Sequence, residues 1–358
     1  MQVLSIMYSS ACHFSWGLMM GEGEIGRRGE EVSWLSLQSR EGTNTHKLLT
    51  GKGMKAIQIN NYGGNEVIEV VSNASIPKVT AGHVLVKVHK ASLNPFDFTV
   101  RSGYAHQYMP LKFPATLGTA FSGIIAETGD GINDYKVGDK VFGVSTGTFA
   151  EYVLVRIGSL AHQPLYVNDD TAAIIPVSAV AAYSVVVESI QLNEGDKVLV
   201  HGGAGSVGSV AIQLAKSANA YVATTIRKND FAFVKELGAD RLIDYQSQSF
   251  EQIIKNYDVV IDTVGGEIYK KSFGILKKNG WVLSVVEQPD NKLMNAFKVN
   301  AKFVNGIATT ERLIKVAKLL ESNILKIKTG KRFSIEQGKE AFVYQQNGDL
   351  KGKTIIEI

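Results

Sequence analysis

Between an apolar run and a stretch of helical periodicity the chain reads HGGAGSVG, residues 201–208, with Gly203, Gly205 and Gly208 in a G-x-G-x-x-G spacing. The spacing alone carries little, because the chain holds 35 glycines. Its setting gives it meaning. KVLVHG (197–202) ahead of it reads as a strand buried on both faces, and Val207, Ala211, Leu214 and Ala218 behind it share one helical face. In that setting, backbone stripped of side chains lets a pyrophosphate approach, and the first N–H groups of the helix meet it with the positive end of the dipole. Gly202, Gly203, Ala204, Gly205, Ser206, Val207 and Gly208 are therefore candidates for holding a dinucleotide.

The end of the next strand discriminates between dinucleotides. A site built for NAD places Asp or Glu there, about twenty residues past the glycines, to accept from the ribose hydroxyls. This chain has Thr224, Thr225 and Ile226, then Arg227 and Lys228. No carboxylate stands where it would repel a 2′-phosphate, and two cations stand where they could hold one. Thr225, Arg227 and Lys228 join the candidate set, and NADPH is the expected cofactor.

The elements that must position these residues fall into two kinds of text. Over 54–175, AIQI (56–59), HVLVKVHKASL (83–93), GIIAET (123–128), DKVFGV (139–144) and AEYVLV (150–155) read as strands between Gly, Pro and Asp turns, a β-rich domain with the character of a partly open barrel. Over 176–310 the rhythm is strand, helix, strand. KVLVHG, YVATTI (221–226), RLIDY (241–245), DVVIDTV (258–264), WVLSVV (281–286) and FVNGI (303–307) alternate with helical text, including one helix from Asp230 to about Leu237 stopped by Gly238. Six such strands match a doubly wound parallel sheet. Over 311–358 the text turns β-like again in KTIIEI (353–358), which suggests a return to the first domain. Residues 1–53 lack periodicity before the abrupt MKAIQINNYGG at Met54, and read as an extension, either a start-site artefact or a targeting piece.

Composition limits the alternatives. At 358 residues, with 45% hydrophobic and 20% charged residues, the chain has the profile of a globular protein. A net charge of +4 without a dense Lys/Arg run gives nucleic-acid binding no support. Cys12 is the single cysteine, so no intrachain disulfide can form, and a reducing, cytoplasmic setting is expected. Val3 to Met20 is uncharged but diluted by Ser, His and Gly and has no basic lead, so no membrane span is expected.

With these elements in view, the chain resembles the zinc-lacking, quinone oxidoreductase-like branch of the medium-chain dehydrogenase/reductase superfamily. The resemblance covers essentially all of 54–358. It rests on MKAIQINNYGG, GHVLVKVHKASLNPFDFTVRSGY (82–104), FPATLGTAFSGII (113–125), YKVGDKVFG (135–143), GTFAEYVLV (147–155), the glycine loop, KELGAD (235–240) and the terminal GDLKGKTIIEI. It implies a GroES-like catalytic domain interrupted by a Rossmann domain, with the active site in the cleft between them. It further implies that Asn94, of the LNP motif, lies close to the nicotinamide. Tyr104 resembles a tyrosine lining the substrate cleft, either a hydrogen-bond donor or an aromatic wall. Tyr245 resembles a residue that packs by the adenosine. Val264 and Gly265, with Val285 and Val286 at the Ser284–Val286 strand end, are expected to flank the nicotinamide ribose. A homodimer through the Rossmann sheet edge is usual in the family.

Zinc-dependent members carry a Cys near the NPFDF position and a His-Glu pair after Leu-Gly. Here those stretches read Ser92-Leu93-Asn94 and Gly118-Thr119-Ala120, and Thr119 and Ala120 cannot replace an imidazole and a carboxylate. None of the seven histidines forms a ligand-spaced pair, and His83 and His89 read as surface or packing residues. Without a Lewis acid, the expected chemistry is hydride donation to an acceptor that delocalises the incoming charge itself, such as a quinone or an α,β-unsaturated carbonyl. An enoyl-thioester reductase and a nonenzymatic NADPH-binding protein are the alternatives. A chain beginning at Met54 is expected to fold and to bind NADPH like the full chain, because 1–53 have no apolar face to pack. Loss of the cooperative melt or of NADPH affinity in that shortened chain is the contrary outcome.

Overall fold

The computed structural model describes residues 53–348 and 352–358. All but the last residue of the N-terminal extension lie outside the described residues. Eight strands build the first part of the fold: β1 (Met54–Ile59), β2 (Ile68–Ala74), β3 (His83–Ser92), β4 (Ala115–Thr116), β5 (Ala120–Thr128), β6 (Lys140–Val144), β7 (Tyr152–Arg156) and β8 (Leu160–His162). β2, β1 and β4 form a small sheet, while β3 is the spine of a larger one. It pairs antiparallel with β5 and β7, and its Ala91 and Ser92 end meets β16 (Lys353–Glu357), with β15 (Thr329–Ser334) beyond. The alternation of β3 leaves Val84, Val86 and Val88 inside, in a core shared with Phe121, Phe149 and Phe342.

The second part is a six-stranded parallel sheet. β9 (Lys197–His201), β10 (Tyr221–Ile226), β11 (Arg241–Asp244), β12 (Tyr257–Asp262), β13 (Leu276–Ser284) and β14 (Asn300–Phe303) lie in the order β11-β10-β9-β12-β13-β14. Helices cover both faces, so the central strand is apolar throughout: Val198, Leu199 and Val200 are fully buried. Strand order reverses between β9 and β12, and the carboxyl ends there open a crevice.

Several details depart from the sequence reading. FVNGI was expected to be the sixth strand, but the strand is Asn300–Phe303 and the apolar residues after it serve another purpose. Val304 and Ala308 pack into the large core, and Gly306 lies so close against Ala181 that a Cβ there would meet its Cα at 2.5 Å. The helix after the glycine loop, Ser206–Ser217, is buried over eight successive residues rather than along one stripe, and Ala218 is its cap. It is wedged between the sheet and another helix, so both faces are apolar. That other helix, Asp169–Glu188, was not expected. An 18-residue window of this 20-residue helix has a mean hydropathy of 1.7, enough by length and composition to cross a membrane, yet 72% of that window is buried within the fold, which marks a core helix. Asn168 caps it by accepting from the Thr171 N–H at 2.9 Å. Pro176 deprives its interior of a donor, and a wide π turn spans Ile175–Ala179. Strands β2, β4, β8 and β15 also escaped the reading, being short or, like TGKRFS in β15, polar sequence held extended by the neighbouring strand.

Phe342 binds the C-terminal Gly338–Gln346 helix to the first core. It is fully buried, with ring centroids 5.0 Å from Phe98 and 6.1 Å from Phe149, and the Arg101 guanidinium lies 5.5 Å from its ring centre. Phe342→Ala is expected to cost about 3–5 kcal/mol by lost burial and a residual cavity, read as a lowered urea midpoint. A loss under about 1 kcal/mol would mean that the core collapses around the gap.

Candidate active site

The glycine loop turns at Gly202, whose φ of +70° lies in the left-handed region. Two of the patterned glycines serve packing. A Cβ on Gly203 would collide with Thr224 Oγ1, and one on Gly208 would collide with the Gly202 carbonyl. Gly205 differs: it is exposed, caps the Ser206–Ser217 helix, and a Cβ there would have only the Gly202 oxygen near, at 3.1 Å. Close packing of the first and third glycines thus brings the helix start to the crevice, and the middle one leaves the approach open. The loop is pinned by Gly202 N–H to the Thr225 carbonyl (3.2 Å), Gly205 N–H to the Gly202 carbonyl (2.9 Å) and the Thr263 hydroxyl to the His201 carbonyl (2.8 Å). The first-turn N–H groups, from Ser206, Val207 and Gly208, have no carbonyl four residues back and face outward from the helix end. Ala204 is half-buried in the loop. These are features an anionic pyrophosphate fits.

Below the loop stands a residue that the sequence reading counted without using. His201 is fully buried, with Nδ1 2.9 Å from Thr225 Oγ1 and Nε2 3.0 Å from Ser272 Oγ. Ser272 donates its one proton to the Ile268 carbonyl at 2.7 Å, so Nε2 carries the imidazole hydrogen and Nδ1 accepts from Thr225. Burial pushes the imidazole down to about 3, keeping it neutral. The chain of donors fastens Thr225, at the end of β10, with its hydroxyl hydrogen turned inward.

Beyond Thr225 the two residues expected at the far end of the cofactor meet. Arg227 Nε donates to Tyr245 Oη at 2.7 Å, and Nη1 to the Gly348 carbonyl at 3.3 Å, so this guanidinium also ties β10 to the C-terminal segment. Tyr245 is 44% exposed, and Lys228 is exposed at the start of a short 3₁₀ turn.

A buried carboxylate that the sequence reading passed over orders the other side of the crevice. Asp262 ends β12; its Oδ1 accepts from the N–H groups of Val264 (3.0 Å) and Gly265 (2.9 Å), and its Oδ2 from the Ser284 hydroxyl (2.7 Å). Ser284 Oγ in turn accepts from Val286 (3.1 Å) and Glu287 (2.9 Å), while the Val285 N–H reaches the Asp262 carbonyl at 3.1 Å. Burial pushes the Asp262 carboxyl up, and the donors around it work against that shift. One side chain therefore sets both turns in which Val264, Gly265, Val285 and Val286 lie.

The first domain contributes Asn94, fully buried at the end of β3 and N-cap of the Pro95–Arg101 helix. Its Nδ2 donates to the Ser92 carbonyl at 2.8 Å, which fixes the amide orientation, and its buried Oδ1 has no hydrogen-bond partner among the described residues. Asp97, three residues on, accepts from the Asn94 N–H with Oδ2 and from the Thr119 hydroxyl with Oδ1, both at 2.6 Å. The Asn-Pro-x-Asp spacing is a helix-start pattern that could have flagged it. Burial pushes Asp97 up to about 6. Lys353, at the start of β16, is buried nearby and pushed down to about 8, with attraction to Asp97 opposing the shift. Nothing local in KGKTIIEI predicts a buried lysine. Tyr104 is 60% exposed on the turn after the helix and makes no hydrogen bond with Asn94. Among the described residues, no three His, Cys, Asp or Glu side chains are grouped as metal ligands would be.

With the site described, its relatives can be compared. The alcohol dehydrogenase GroES-like domain family matches residues 80–165, and the family described as zinc-binding dehydrogenase matches 237–356. The mitochondrial NAD(P)H oxidoreductase RTN4IP1 of Danio rerio is 31% identical, over 85% of this chain and 91% of its own. The 2-methylene-furan-3-one reductase of Solanum lycopersicum is 33% identical, over 85% and 79% respectively. The solved quinone oxidoreductase of Coxiella burnetii is 30% identical, with a TM-score of 0.78 over 85% of this chain and 99% of that one. The GroES-like domain, the Rossmann sheet with its glycine loop, and these likenesses agree: the chain is a nicotinamide-dependent oxidoreductase belonging to the quinone oxidoreductase-like branch of the medium-chain dehydrogenase/reductase superfamily.

Proposed function

We propose that the protein uses NADPH to reduce quinones or the C=C bond of α,β-unsaturated carbonyls, without zinc. The observation that carries the reading is the fate of the metal-ligand positions. Thr119 commits its hydroxyl to Asp97, Ala120 has no donor atom, and Ser92 offers a hydroxyl in place of a thiolate and accepts from the Asn94 amide nitrogen. Residues of this kind cannot hold the Lewis acid that alcohol oxidation by this fold requires. When bound, the reduced nicotinamide supplies a hydride to an electron-poor carbon. The protein's share is positioning. The helix start at Ser206–Gly208 would hold the pyrophosphate, the turns ordered by Asp262 would flank the nicotinamide ribose, and Asn94 Oδ1 would accept from an amide or hydroxyl of the cofactor. The names of two relatives, a quinone oxidoreductase and a furanone reductase, match the acceptor class. The mitochondrial label of the Danio rerio relative lends no support to a cytoplasmic location.

Arg227, Lys228 and Tyr245 favour NADPH over NADH, because the guanidinium is already placed beside a phenol and residues 224–228 hold no carboxylate to oppose a phosphate. Arg227→Asp is expected to weaken NADPH binding at least about tenfold relative to NADH, a loss near 1.4 kcal/mol or more, measured by fluorescence titration of both cofactors. Equal affinity for both cofactors in the unmodified protein contradicts the preference.

Turnover should be tested by following NADPH consumption with a panel of quinones, enones, enoyl-thioesters and simple alcohols. Quinones or enones should be reduced, alcohols should not be oxidised with NADP⁺, and elemental analysis should find no stoichiometric zinc. Robust alcohol oxidation, or one zinc per chain, would refute the reading. Tyr104→Phe separates its two roles: if Tyr104 donates to the developing oxyanion, turnover drops with NADPH affinity unchanged, a single donor being worth about 3–4 kcal/mol at most. If it is a wall, turnover stays as it was.

A further inference from the structure

The feature that the proposed chemistry leaves unused is the pair of opposite charges buried beneath Asn94. Asp97 is 1% and Lys353 4% exposed. They come from distant parts of the chain and lie close enough to influence each other, without an ion-pair contact, because β16 runs antiparallel beside β3, with Leu93 N–H bonded to the Thr354 carbonyl at 3.0 Å. The Asp97 carboxylate grips the backbone of Asn94 through Oδ2 and the hydroxyl of Thr119 through Oδ1. Lys353 Nζ makes no hydrogen bond among the described residues, and its one ionic influence is Asp97. The other charged groups on the neighbouring strands are engaged elsewhere: His89 with Asp169, Lys90 with Glu357, Arg332 with Asp170, and Lys331 over the rings of Phe333 and Tyr344. Arg101, at the end of the Asp97 helix, bonds Gly63 and Asn65. Lys339 and Glu340 on the last helix are exposed.

We propose that Lys353 is a positioning residue for the reaction site: its ammonium keeps Asp97 a carboxylate, so that Asp97 goes on accepting from the Asn94 N–H and the Thr119 hydroxyl and holds Asn94 Oδ1 at the cofactor. The chemistry follows from donor counting. An ionised Asp97 is a strong acceptor at both oxygens, as its two bonds require; a protonated one is a weaker acceptor, and its new hydrogen either sits on Oδ2 and displaces the Asn94 N–H or sits on Oδ1 and reverses the bond to Thr119, leaving Asn94 with a weaker, neutral partner. Burial favours that protonation and has pushed the carboxyl up to about 6, even with the hydrogen bonds from Thr119 and Asn94 and, after them, the Lys353 charge opposing it. Removing the ammonium leaves burial with less opposition, so the carboxyl rises further, toward working pH. At neutral pH Asp97 would then begin to take up a proton and Asn94 would be held less firmly.

The inference rests on the reading of the glycine loop as an NADPH site, and its test keeps the two apart. Asp97 ionisation is followed by its ¹³Cγ NMR shift, and NADPH affinity by fluorescence titration from pH 5 to 9, in the unmodified protein, Lys353→Met, Lys353→Arg and Asp97→Asn. The expected result is an Asp97 midpoint about one pH unit or more higher in Lys353→Met, with the acid-side loss of NADPH affinity moving by the same amount. Lys353→Arg should return both toward the unmodified values, and Asp97→Asn should abolish the acid-side transition. A purely structural lysine would lower affinity equally at every pH and leave the midpoint in place. An unmoved Asp97 midpoint in folded Lys353→Met, or a moved midpoint that affinity does not follow, overturns this inference alone. No NADPH binding by the unmodified protein at any pH overturns the cofactor reading and this inference with it.

Discussion

The approach of Gly203 to Thr224, and of Gly208 to the Gly202 carbonyl, is a contact distance at which no side chain fits. It draws the Ser206–Ser217 helix down onto β9 and β10 until its N-terminus overlooks the carboxyl edge of the sheet. From there the other placements follow. The loop carbonyl of His201 holds Thr263, the loop N–H of Gly202 holds the end of β10, and the His201 ring beneath them holds the Thr225 hydroxyl. A Cβ at either glycine would move the helix end, and with it the backbone donors and positive dipole that it brings to the carboxyl edge of the sheet.

The first domain is completed because the chain comes back. β16 pairs with β3 at Ala91 and Ser92, the residues just before Asn94, so the last strand of the protein braces the loop on which the first domain presents its amide. Phe342 and the helix that carries it fill the same core from behind. Arg227 makes the reverse link, from β10 to the Gly348 carbonyl. The parallel sheet and the first domain are therefore joined through the C-terminal segment as well as through the backbone that enters and leaves the sheet. Removing either link would leave each domain its core while weakening their alignment.

What could be read in advance follows a physical rule. The parallel sheet was legible because both faces of β9, β10 and β12 are covered, which forces continuous apolar text, and because the glycine loop must directly follow the first strand. The strand expected at 303–307 failed because Val304 and Ala308 are apolar for packing against a core helix, a reason that periodicity cannot distinguish from pairing. The Asp169–Glu188 helix failed because its apolar residues run all the way round and Pro176 breaks the pattern. In the candidate site, Gly202–Gly208 and Arg227 could be singled out from spacing, and Tyr245 from the resemblance. Asp262 and Lys353 could not, since each owes its role to partners far along the chain: Ser284 is 22 residues on, and Asp97 lies on the other side of the Rossmann domain.

Those hidden residues share an energetic signature. Asp97 has a folded value raised from 3.8 to about 6, so whatever stability it lends is present below its ordinary range and lost as pH rises through 6. Lys353 has a folded value lowered from 10.5 to about 8; it weakens the fold below 8 and ceases to do so only as pH climbs toward its ordinary value. At neutral pH both therefore work against folding, by roughly 3 kcal/mol each on the scale of 1.4 kcal/mol per pH unit. An apolar pair of similar volume would spare that cost. His201 differs: its lowered value costs nothing at pH 7, where it is neutral anyway, and penalises the fold only on acidification below about 6.5. Charges that oppose folding at working pH, placed beside a buried amide whose oxygen has no partner among the described residues, are the pattern expected where local geometry has been kept at the expense of stability.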